Sequence, residues 1–113
     1  MNPPNSLAWI YLLVAAIFEI GWPVGLKMAQ VPERRWSGFA LAAISFIASG
    51  ALLYLAQRSI PMGTAYAVWT GIGAAGTFAL GLWIYHEPAN ALRIASAALI
   101  VLGVIGLKLA DAG

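Results

Sequence analysis

Glu19 lies about two-thirds of the way along an apolar run covering residues 7–26. Its short side chain is far from either end of that run. A charge held at such depth in lipid costs about 3 kcal/mol or more, so intramembrane acids face a cavity or a bundle interior. An acid in that setting is a proton carrier at working pH. The alternative is a protonated group that only hydrogen-bonds neighbouring helices. No other ionisable residue stands deep in an apolar run. Glu33, Glu87 and Asp111 fall in polar segments and read as solvated.

The neighbours of Glu19 carry further chemistry. Trp22 and Pro23 follow at i+3 and i+4, on the same helical face. Trp22 offers an indole N–H and a π-face for a cation. It can also be read as an interfacial anchor, a role that Trp9 and Trp36 suit better by their positions near run ends. Pro23 has no N–H, so the Glu19 carbonyl loses its helical donor and a bend is expected there. Ser45 and Ser49, one turn apart, could bond across to Glu19 or back to the backbone.

The third apolar run opens Gly63-Thr64-Ala65-Tyr66-Ala67-Val68-Trp69-Thr70-Gly71-Ile72-Gly73. Tyr66 and Trp69 share a face there. Gly71, Gly73 and Gly76 permit close helix approach and soften the helix. Polar-tipped aromatics with a glycine hinge suit a substrate pocket, and ordinary packing accounts for them equally well. In the fourth run Ser96 and Gly103 are two turns apart on one face, a spacing for a tight oligomer contact or for packing within the bundle.

These residues need helices to position them. The 113-residue chain is 62% hydrophobic and 9% charged, with a mean hydropathy of +0.86. A soluble domain carries about 25% charged residues, so the expected solvent of this chain is lipid. Four stretches reach the roughly 20 residues that a helix needs to span the hydrocarbon core: 7–26, 37–56, 62–85 and 91–109. They make one four-helix transmembrane domain over 1–113. The runs lack the two-residue alternation of a membrane β-barrel. Residues 1–6 carry no Lys or Arg, so the first run reads as a span and not as a secretory signal.

Several functions are excluded by composition. The net charge of +2 is too small and scattered for nucleic acid. With no cysteine and a single histidine, His86, neither thiolate chemistry nor a histidine–cysteine metal site can form. One carboxylate without a nucleophile or metal is thin machinery for an intramembrane enzyme, so no enzyme and no cofactor beyond the proton is expected. Arg58 and Lys108 lie on one face of the membrane, against Lys27, Arg34, Arg35 and Arg93 on the other. So weak a bias fits insertion in both orientations, or pairing with a partner of opposite bias. Four short helices enclose little interior, so a polar route needs at least a dimer.

Taken together, the length, the four spans, the embedded Glu19 and the run from Pro61 to Gly73 resemble the small multidrug resistance family over nearly the whole chain. Phe18-Glu19-Ile20-Gly21-Trp22-x-x-Gly25-Leu26-Lys27 and the ending Leu99–Lys108 are similar to its guanidinium exporter subtype, which has a tryptophan three residues after the glutamate. The polyaromatic-cation subtype tends to have small residues there. Pro23 departs from the usual small residue, and the first loop lacks the usual glycine-phenylalanine turn.

The resemblance implies an antiparallel dimer in the bacterial inner membrane that exchanges protons for guanidinium-type cations. Glu19 of both subunits would bind cation or protons in turn, within a network of Trp22, Ser49, Tyr66 and Trp69. The fourth helices would meet through Ser96 and Gly103. The partner is a second copy or an unlike family member. Two other readings stand beside this one: an exporter of quaternary ammonium drugs, and a membrane subunit that transports nothing.

Overall fold

The computed structural model describes residues 2–111. Met1, Ala112 and Gly113, at the outer ends of the polar termini, lie outside the described residues. Four α-helices form among them: α1 (Asn5–Met28), α2 (Arg35–Gln57), α3 (Met62–Ile84) and α4 (Ala91–Ala110). A 3-10 turn over Pro32–Arg34 joins α1 to α2. Each helix is long and apolar enough to cross a membrane.

Local chemistry sets the helix ends. Pro4 and Pro61 stand in extended conformation just before α1 and α3, where the missing N–H costs nothing. Asn90 caps α4 by accepting a 2.9 Å hydrogen bond from the Arg93 amide. Pro23 does not end α1, which runs on to Met28.

The helices run up and down in chain order. Both termini and the α2–α3 turn are at one end, and the α1–α2 and α3–α4 connections are at the other. The principal extents are 46 × 35 × 16 Å, so the protomer is a flat layer. The most extensive seam joins α1 to α2, while α4 touches chiefly α3. Small residues make the α1–α2 seam close. A Cβ added at Gly25 would lie 2.6 Å from both the Ala42 amide nitrogen and the Gly38 carbonyl oxygen, which is closer than any side chain allows.

Hydrophobic burial concentrates near the termini. Ala8, Trp9, Leu12, Ala56, Ile60, Ala65 and Val68 form one buried cluster there. Elsewhere large apolar side chains point outwards, Ile17, Phe46, Leu99 and Leu102 among them. In water this would be an aggregation surface. In lipid it is the expected exterior. No residue of α4 is buried within the protomer.

Candidate functional site

Glu19 projects from α1 towards α3. The Trp22 indole Nε1 donates a 2.8 Å hydrogen bond to its Oε1. This contact follows from the helix itself, since residues at i and i+3 are neighbours on one face. Phe46 of α2 meets the Trp22 ring edge-on at 6.2 Å between centroids and so helps orient the indole. No second side-chain donor among the described residues reaches the carboxylate. Its Oε2 is left for a ligand or a proton.

Gly73 of α3 provides the room that Glu19 occupies. A Cβ there would lie 2.6 Å from Glu19 Cγ. Gly71, two residues earlier, points the other way. Its missing Cβ would fall 2.6 Å from a Val104 methyl of α4. Helical residues two apart are separated by about 200°, so one glycine serves the carboxylate and the other serves helix packing. α3 is one unbroken helix through both.

A cavity of about 480 Å³ runs from Glu19 between α1 and α3. Thr70, Thr77 and Phe78 line its wall, and it reaches the end of the bundle at Lys27, Tyr85 and Glu87. The Lys27 ammonium lies over the Tyr85 ring, 5.7 Å from its centroid. The Glu87 carboxylate lies beside Arg93 at 3.7 Å, with both side chains partly exposed. Lys27, Tyr85, Glu87, Thr70 and Thr77 are additions to the residues expected from sequence. Glu87 had read as an ordinary solvated acid. It is exposed, as that reading has it, and its carboxylate rests over Gly81 at the cavity mouth, just past His86 with its positive φ of 54°.

The two serines serve other partners. Ser45 is buried against Gly21, on the side of α1 away from Glu19. Ser49, also buried, donates a 2.7 Å hydrogen bond to the Ala15 carbonyl and accepts one of 2.8 Å from Trp69 Nε1. The chain Trp69–Ser49–Ala15 therefore ties α3 and α2 to α1 one helical turn from Glu19, without touching it. Tyr66 packs on Trp69 at 5.4 Å between ring centroids and is more than half exposed.

Ser96 and Gly103 are exposed on α4. Ser96 bonds back to the Leu92 carbonyl at 2.8 Å, and nothing lies within 4 Å of a Cβ added at Gly103. Within one protomer, then, the expected residues divide into four groups: Glu19, Trp22 and Gly73 together, Ser49, Trp69 and Tyr66 together, Gly71 against the inner side of α4, and Ser96 and Gly103 on its exposed face. Among the described residues no cluster of three or more His, Asp or Glu gathers at one point to hold a metal.

The comparisons with known proteins agree in direction. A family model described as Small Multidrug Resistance protein matches residues 7–100. A protein of Escherichia coli (strain K12) named guanidinium exporter is 48% identical over 103 residues, which are 91% of this chain and 97% of that protein. Proteins with the same name from Proteus vulgaris and Yersinia pseudotuberculosis are 45% and 46% identical. Each of those matches extends over 105 residues, 93% of this chain and all of the relative.

Proposed function

The chain belongs to the small multidrug resistance family, and we propose that it is a proton-coupled antiporter exporting guanidinium or small guanidinyl cations. The observation that carries this reading is the Glu19 carboxylate, held through one oxygen by Trp22 and open through the other, at the head of a cavity. The relatives named guanidinium exporter support the choice of substrate.

The chemistry is a competition. A deprotonated Glu19 accepts charge-assisted hydrogen bonds from a planar guanidinium, the geometry that carboxylates favour. The Trp22 indole fixes the carboxylate on one side and offers its π-face to the cation. A proton arriving at the same carboxylate removes the acceptor and releases the cation. One group cannot hold both, so inward proton flow and outward cation flow are linked. Guanidinium binding therefore weakens as the pH is lowered. The proton is the only coupling ion this scheme needs, and it involves no catalytic bond breaking.

The flat protomer supports assembly into an antiparallel dimer in the bacterial inner membrane. The second subunit is a copy of this chain or an unlike member of the family. A partner would cover the outward faces of Tyr66, Ser96 and Gly103 and close the cavity. The fourth helices would meet there, and Tyr66 would join Trp69 and Ser49 in the network around the two carboxylates. Alternating access then comes from rocking one subunit against the other.

The test uses purified protein in liposomes on a solid-supported membrane. Guanidinium jumps should give currents in the wild type and none in Glu19→Gln. Currents that persist in Glu19→Gln would refute the mechanism. A larger response to tetraethylammonium than to guanidinium would replace this reading with a quaternary ammonium exporter.

A further inference from the structure

A second carboxylate has been built into the same cavity, at its mouth. Glu19 sits over Gly73 of α3, and Glu87 sits over Gly81 of the same helix. Gly81 is buried, and a Cβ there would lie 2.8 Å from the Glu87 carboxyl carbon. The two glycines are eight residues apart, so the two acids are about 12 Å apart along α3.

The backbone is shaped to bring Glu87 there. His86 adopts a positive φ of 54°, the left-handed residue with which many α-helices end, and here it closes α3. That turn folds the chain back, and the Glu87 amide donates a 3.1 Å hydrogen bond to the Gly81 carbonyl. The carboxylate thereby lies over Gly81 at the rim of the cavity, still partly exposed.

Its present partner is informative. The Arg93 guanidinium lies 3.7 Å from Glu87 Oε1, while its Nε donates to the Pro88 carbonyl at 2.7 Å. Arg93 is a tethered guanidinium on the carboxylate. The contact is long and partly exposed, the kind of pair that contributes little to stability and exchanges readily. Lys27, at the same mouth, leans on Tyr85. Without Glu87 the mouth would present two positive charges, Lys27 and Arg93, to an arriving cation.

We propose that Glu87 is an outer binding site for the guanidinium cation, which displaces Arg93 there before, or after, it occupies Glu19. This rests on the function proposed above and adds a second station to the path. The cation's charge is matched at the mouth, and Arg93 returns when the site empties, so the acid is never left between its neighbours unpaired.

The test compares Glu87→Gln and Arg93→Gln in full-length protein in liposomes, reading the guanidinium concentration for half-maximal current. Glu87→Gln should raise that concentration roughly two- to fivefold, and Arg93→Gln, which removes the tethered competitor, should lower it by a similar factor. A merely structural ion pair predicts shifts in the same direction for both variants. Shifts in the same direction, or no shift in Glu87→Gln, would overturn the outer site while leaving the antiporter reading intact. A wild-type protein silent to guanidinium would overturn both.

Discussion

The two ends of the helix layer are finished in different ways. At the end that holds both termini and the α2–α3 turn, side chains lock onto one another. Trp9 is buried, and its indole donates a 2.8 Å hydrogen bond to Asp111 across the ends of the chain. Asn5 adds a longer bond to the same carboxylate at 3.4 Å. The Lys108 ammonium caps the Trp9 ring at 4.8 Å, and the Ser59 hydroxyl bonds the Pro3 carbonyl. Beneath them Leu12, Ile60 and Val68 are almost fully buried. At the opposite end the charged residues Lys27, Glu87 and Arg93 line or flank the cavity. The contrast separates two tasks. One end holds the helices in register, and the other leaves a polar-lined cavity open as far as Glu19.

That division can be broken by mutation. The largest effect is expected at Gly73. Gly73→Val drives a branched side chain into Glu19 and should lower the rate of guanidinium transport on the order of 30-fold, because overpacking costs about 1–3 kcal/mol. Transport that survives unchanged would mean that α3 does not confine the carboxylate. Trp22→Phe keeps the ring and removes the N–H donor. Its apparent guanidinium affinity should fall about fivefold, the worth of one hydrogen bond of about 1 kcal/mol, as titrated by electrical response.

The sealed end should respond in stability and not in transport. Trp9→Phe removes the indole bond to Asp111 and should lower unfolding stability by about 1 kcal/mol, visible as an earlier thermal midpoint in detergent. Its half-saturating guanidinium concentration should stay within about twofold of the wild type. A shift as large as that of Trp22→Phe would show that this end also lies on the ligand's path. The smallest effect belongs to Ser59→Ala, which loses one hydrogen bond near the surface and should change stability by under about 0.5 kcal/mol.

The helices were legible because lipid leaves so few options: a long apolar run has to satisfy its backbone internally. The Glu19–Trp22 contact was legible for the same reason of regularity, since it lies within one turn of one helix. Contacts that depend on how helices face one another were not. Gly71 and Gly73 look alike in the sequence, yet their opposite directions give one to α4 and the other to Glu19. The serines of α2 were plausible partners for the acid, but Ser45 meets Gly21 on the wrong side of α1, and Ser49 is taken by Ala15 and Trp69. Trp9 read as an interfacial anchor, because no local pattern announces an aspartate 102 residues away. Glu87 is exposed as its sequence suggests, but its seat over Gly81 depends on how the chain leaves α3 at His86.

The close seam between α1 and α2 has a mechanical consequence. Gly25 against Gly38 and Ala42, Gly21 against Ser45, and Ala15 against Ser49 pin the two helices at three heights. They form the fixed jaw of a caliper, with the carboxylate mounted on it. α3 is the other jaw, joined to the fixed one less extensively. What such a tool measures is the width of its gap. The width of this gap at Glu19 is set by the missing side chain of Gly73, and the Trp69–Ser49 bond holds the jaws together one turn away.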